Sequence, residues 1–120
     1  MDTEKAHGPQ PLRVDSTACD GITVVTVRGA IDHATVGPLG QALEPGGLLG
    51  RPCVIVDMRQ VSFMDSSGIN TLLAAHRALT RTEGWLRLVD VPAAVRRTLE
   101  TVGVDTLIPC YPSVYEARAA

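Results

Sequence analysis

Strand-like and helix-like hydrophobic periods alternate along this 120-residue chain. Leu12-Arg-Val-Asp-Ser-Thr17 alternates apolar and polar positions, Asp20-Gly21 carries the signal of a two-residue hairpin turn, and Ile22-Thr-Val-Val-Thr-Val27 supplies a β-branched return strand. The hairpin is expected to form one edge of a sheet. Thr35 is placed to cap a helix whose inward positions are Val36, Leu39 and Leu43, with Pro38 tolerated in the first turn and Pro45-Gly-Gly47 ending it. Cys53-Val-Ile-Val-Asp-Met58 is a nearly unbroken apolar run of strand length, as in a strand covered on both faces. Ile69, Leu72, Leu73, His76 and Leu79 then recur at helical spacing, and Gly84 breaks the chain before a further strand, Trp85-Leu-Arg-Leu-Val89. A third helix follows, with Pro92 in its first turn, Val95, Leu99 and Val102 on its apolar face, and Gly103 at a left-handed C-terminal cap. Leu107 and Ile108 read as a short last strand, and Pro112 as the start of a small helix through Ser113 to Ala119.

Strands that alternate with helices predict an α/β class: one domain with a mixed, mostly parallel sheet, an N-terminal β-hairpin and about four helices. A chain of this length, 45% hydrophobic, buries one core and no second one. The expected organisation is a flexible polar segment over residues 1–11 followed by the domain, 12–120. A formal net charge of −2 with scattered arginines offers no basic stripe, so nucleic acid is not an expected partner. The start of the chain lacks an apolar leader core and no stretch approaches bilayer length, which predicts a cytoplasmic chain with no membrane partner. Cys19, Cys53 and Cys110 are odd in number and widely spaced, so they are expected to be free buried thiols. His7, His33 and His76 show no ligand spacing either, and neither a metal nor a cofactor is expected.

Chemistry concentrates in Val61-Ser-Phe-Met-Asp-Ser-Ser-Gly-Ile69, where a buried strand hands over to a helix. Asp65, Ser66 and Ser67 then stand at a helix N-terminus, where side-chain oxygens accept from unpaired N–H groups and an added anion is favoured. Read on its own, this is an ordinary capping signal, with Gly68 permitting close packing. The run Phe63-Met-Asp-Ser-Ser-Gly-Ile69 also resembles the signature of the STAS-domain anti-sigma factor antagonists. Val25-Thr-Val-Arg-Gly-Ala-Ile-Asp-His-Ala-Thr35 resembles the second strand of the same family, and the resemblance extends from about Leu12 to the C-terminus.

The resemblance implies a bacterial transcription regulator that releases a sigma factor by capturing the anti-sigma factor. In that family the anti-sigma factor is itself a serine kinase, which binds the ATP and phosphorylates the first serine of Asp-Ser-Ser-Gly. That serine matches Ser66. A separate phosphatase restores binding, so the chain would be a phosphoprotein and partner switch, not an enzyme. The partner-binding surface implied by the resemblance comprises Asp32, His33, Asp65, Ser66, Ser67 and Gly68.

Other readings compete at several of these residues. Asp32 beside Thr35 suits a turn or cap acid. Asp57, at the end of a buried strand, either faces solvent or marks the strand ends where open α/β sheets bind ligands. Arg77 and Arg81 fit a solvated helix face, while His76 and Trp85 fit packing positions. An enzymatic alternative fails on the motif: Met64-Asp-Ser-Ser-Gly68 lacks the glycine two residues before the serine of a nucleophile elbow. A second alternative retains the STAS fold without the switch, as a scaffold subunit of a lipid-transporting ABC complex or a stress-signalling assembly.

Overall fold

Two positive-φ residues open the architecture. Asp20 (φ 52°) and Gly21 (φ 81°) form the tight turn between β1 (Arg13–Cys19) and β2 (Ile22–Ile31), whose antiparallel register closes on the pair Cys19–Ile22. Left-handed backbone at both central positions matches the twist of the flanking strands. The computed structural model describes residues 11–44 and 52–120. The sheet continues through β3 (Cys53–Met64), β4 (Trp85–Val89) and β5 (Cys110–Tyr111) in the order β1-β2-β3-β4-β5, with β2 to β5 mutually parallel.

Because each crossover steps to the next strand in the same direction, connections of one hand place their helices on one face. α1 (Gly37–Leu43), α2 (Ser66–Arg81) and α3 (Ala93–Thr101) all contribute to the larger core there. Leu39, Leu72 and Leu99 pack against Val25, Val27, Val56, Met58 and Leu88. The opposite face carries a smaller cluster of Ile55, Val89 and Ala117, covered by α4 (Val114–Ala119). Arg87 serves this second face twice, donating from Nη1 to the Ala117 carbonyl at 2.9 Å and lying 3.7 Å above the Trp85 ring. Trp85 thus packs along the part of β4 that β5 does not reach.

Several expectations shift in detail. Helix α1 begins at Gly37 with Val36 as its N-cap, so Thr35 is not the capping residue. The expected stop at Pro45 to Gly47 lies outside the described residues, as do residues 1–10 of the segment expected to be flexible. Pro92 is the N-cap of α3, not a first-turn residue, and Gly103 takes the expected left-handed conformation. Val102, expected on the inner face, is 56% exposed, because it sits at the C-cap where the helical phase has ended. Leu107 and Ile108 form no strand. A 3₁₀ turn over Val104–Thr106 precedes them, Ile108 is buried as a packing residue, and pairing starts only at Cys110. All three cysteines are free, but Cys19 is exposed on the edge strand and the other two are only partly buried. Partial burial pushes the Cys110 thiol up from its ordinary value, against the opposing charge of Arg96.

The apolar run that ended at Met58 in the sequence extends as β3 to Met64. This far half is paired to β2 through two register shifts. Thr26–Asp57 is followed by Arg28–Gln60, and Gly29–Val61 by Ala30–Phe63, each step adding one residue to β3. Bulges of this kind twist a strand and re-aim its side chains. Here Val61 and Met64, three positions apart, both reach the core.

Candidate functional site

The far ends of β2 and β3 lie side by side. Ile31 is paired with Met64, and the Asp65 N–H donates to the Ile31 carbonyl at 3.1 Å. The two segments that leave the sheet, one from Asp32 and the other from Asp65, therefore start from adjacent strands about 5 Å apart. The structure brings the two sequence segments of interest together at one end of the sheet.

Asp32 organises the first segment. Its Oδ1 accepts from the Ala34 N–H at 2.9 Å and the Thr35 N–H at 3.0 Å, while its own N–H donates to Thr35 Oγ1 at 2.9 Å. The Thr35 hydroxyl donates to the Ala30 carbonyl at 2.7 Å, tying the turn back to β2. Asp32 is thus a turn acid, with Oδ1 engaged and Oδ2 without a hydrogen bond among the described residues. His33, on the same turn, is exposed.

Asp65 organises the second segment as the N-cap of α2. Its backbone is extended (φ −104°, ψ −167°) and its Oδ1 accepts from the Ser67 N–H at 2.8 Å, satisfying one of the unpaired donors at the helix start. Ser66 is the first helical residue. It is exposed, and its hydroxyl makes no hydrogen bond among the described residues. Ser67, one position deeper, is half-buried, and its carbonyl accepts from Thr71 Oγ1 at 2.9 Å.

Gly68 is buried for a steric reason. A Cβ there would stand 2.7 Å from Met64 Cγ and 2.8 Å from Ile31 Cγ2, so the missing side chain lets α2 settle onto the joined ends of β2 and β3. Gly68→Ala is expected to destabilise the fold by about 1–2 kcal/mol, the strain of overpacking outweighing alanine's better helix propensity. Urea unfolding midpoints of the two proteins measure the difference.

The remaining candidates stand apart. Asp57 Oδ1 accepts from the Arg59 N–H at 3.0 Å within β3, and Arg77 and Arg81 are exposed along α2. His76 is half-buried, and its Nδ1 is enclosed without a hydrogen-bond partner, consistent with a packing position. No group of three or more potential metal-ligating side chains occurs among the described residues. No helix there is long and apolar enough to cross a membrane. Phe63 opens the signature run, but the sequence pattern does not reveal its exposure: it is 52% exposed beside this site although alternation from Val61 would turn it inward. Its signal lies in the double bulge, which a period-two pattern does not reveal.

The joined strand ends thus present an exposed hydroxyl on a capped helix start, beside the turn that Asp32 organises. Residues 13–117 match the STAS domain model, and the chain belongs to the STAS-domain family. An anti-sigma-B factor antagonist of Staphylococcus aureus is 29% identical over 97 residues, covering 81% of this chain and 90% of that protein. The crystal structure of an anti-sigma factor antagonist from Mycobacterium paratuberculosis superposes with a TM-score of 0.82 at 29% identity, covering 93% of this chain and 95% of that one. The Bacillus cell fate determinant SpoIIAA in its phosphorylated form shares the fold, with a TM-score of 0.65 at 21% identity over 90% of this chain and 96% of that one. These relatives are regulatory proteins by name, not enzymes.

Proposed function

We propose that the chain is an anti-sigma factor antagonist whose binding to an anti-sigma factor is switched off by phosphorylation of Ser66. The observation that carries this reading is the Ser66 hydroxyl: exposed, unengaged among the described residues and first in α2, while the neighbouring serine is half-buried. Of the two adjacent serines, Ser66 is the more accessible to a kinase approaching this end of the sheet. The names of the relatives supply the partner class, and Asp32, His33, Asp65, Ser66 and Ser67 supply the contact surface at the joined strand ends. Gly68 contributes by letting α2 close onto those ends. In this reading domain 12–120 acts in the cytoplasm, the anti-sigma kinase brings the ATP, and a phosphatase resets Ser66. A constitutive scaffold does not require a phosphorylatable hydroxyl at this position.

Incubating the chain with a purified anti-sigma kinase of the same genome and Mg-ATP, then mapping phosphate by mass spectrometry, tests the assignment. Phosphate is expected on Ser66 and none on Ser66→Ala. Modification of Ser67 with Ser66 untouched would refute it. Ser66→Ala removes only a hydroxyl without a hydrogen bond among the described residues and leaves Asp65 on the Ser67 N–H, so the variant should fold and still bind.

A further inference from the structure

Phe63 is the chain's sole phenylalanine, and it is 52% exposed. The cause is local. Val61 is buried on the helix-covered face, so regular alternation would place Phe63 on that face and turn Met64 outward. The extra residue between the pairs Gly29–Val61 and Ala30–Phe63 reverses this, putting Met64 into the core and Phe63 into water. A large aromatic surface is thus held in solvent by a bulge three residues before Ser66.

The other large apolar side chains in solvent among the described residues lie elsewhere. Val102 and Leu107 flank the 3₁₀ turn at the end of α3, which has run back to the opposite end of the sheet, and Tyr115 is on α4 over the other face. Among the described residues, Phe63 is the exposed large apolar side chain that adjoins the site. Its partner across the ladder is Ala30, and the next pair, Ile31–Met64, leads directly into Asp32 and Asp65. Three residues of extended chain span at most about 11 Å, which puts Phe63 within the footprint of a protein docked over the Ser66 hydroxyl. Aromatic side chains at the centre of such contacts carry a disproportionate share of affinity.

We propose that Phe63 is an apolar anchor of the surface that binds the anti-sigma factor, a role that rests on the function proposed above. The occupant has an apolar recess for the ring next to the site that receives Ser66. Phosphorylation then controls a contact whose affinity comes in large part from a neighbouring residue that phosphate does not alter.

Calorimetry with a purified anti-sigma factor of the same genome, comparing wild type, Phe63→Ala and Tyr115→Ala, tests this role. Phe63→Ala is expected to bind at least about tenfold more weakly with unchanged circular dichroism, while Tyr115→Ala binds as wild type does. In the kinase assay, the chain concentration for half-maximal Ser66 phosphorylation should rise by a similar factor with the maximal rate retained. Wild-type affinity in a folded Phe63→Ala protein overturns the proposal. Where Phe63→Ala loses its fold, hydroxyl-radical footprinting of the wild-type chain decides: Phe63 is protected in the complex, and unchanged labelling overturns the anchor. A folded wild type that binds none of the genome's anti-sigma factors refutes the function itself and the anchor with it. Binding by both proteins with equal affinity refutes the anchor alone.

Discussion

Phosphate on Ser66 is expected to weaken the complex with the anti-sigma factor about a hundredfold or more, a change of about 2.8 kcal/mol, while the fold stays intact. The two outcomes have separate causes. In the free chain the phosphate stands at the start of α2, where backbone N–H groups and the helix dipole favour an anion by about 0.3–1 kcal/mol. Water screens its repulsion from Asp65, whose carboxylate is committed to the Ser67 N–H and does not swing away at no cost. Docking removes that water. For a phosphate about 6 Å from a carboxylate, lowering the effective dielectric from ~80 to ~20 adds about 3–4 kcal/mol of repulsion for the phosphate's charge of about −1.5 to −2. Asp32, on the adjacent strand end, adds to the same field. Calorimetry on stoichiometrically phosphorylated protein, with a thermal melt in parallel, measures both effects. Equal affinities for folded phosphorylated and unmodified protein would contradict the switch and favour a constitutive scaffold.

Features whose cause is local were legible in the sequence. Asp20-Gly21 demanded a tight hairpin turn whatever surrounded it, Gly103 stood where a helix needs a left-handed residue, and Asp65 capped the helix it preceded. Features set by pairing between distant segments were not. The far half of β3 contains Arg59, Gln60 and Ser62, all exposed, so its apolar pattern dissolves although β2 still holds it in the ladder. Its two bulges follow from fitting β3 to β2, which no period within β3 encodes. The last strand was misplaced for the same reason. Ile108 has the stronger β-propensity, but its N–H is tied to the Val104 carbonyl of the 3₁₀ turn at 2.9 Å, and pairing starts only where Cys110 arrives opposite Leu88. At the strand ends, the residues singled out in the sequence lie together, and the structure shows what each does locally. Asp32 proved to be a turn acid and Gly68 a packing residue, so each shapes the surface through the backbone it positions.

Gly84→Ala is expected to destabilise the domain by about 3–4 kcal/mol, a large fraction of the total for a chain of this size. In the sequence Gly84 looked like a helix breaker, and the structure gives that task to its neighbour. Glu83 is the left-handed residue (φ 63°) that ends α2, its N–H donating to the Thr80 carbonyl at 3.2 Å, and the Gly84 N–H returns to the Leu79 carbonyl at 2.8 Å. Gly84 is required because a Cβ would fall onto the Pro52 carbonyl oxygen, with the carbonyl carbon and Pro52 Cβ each at 2.7 Å. That oxygen cannot simply retreat. It accepts the Trp85 N–H at 3.0 Å, at the entry of β4 beside β3, where Cys53 pairs with Trp85. Relief means opening the start of the β3–β4 ladder or displacing the end of α2, and either step disturbs the core beneath Leu79 and Leu86. Glu83→Gly should do the opposite, stabilising by about 0.5–1 kcal/mol as the left-handed position loses its Cβ penalty. Urea denaturation of the three proteins measures both signs, and a Gly84→Ala protein within 1 kcal/mol of wild type (about a fivefold change in the folding equilibrium) would show that the strand entry yields far more easily than its geometry implies.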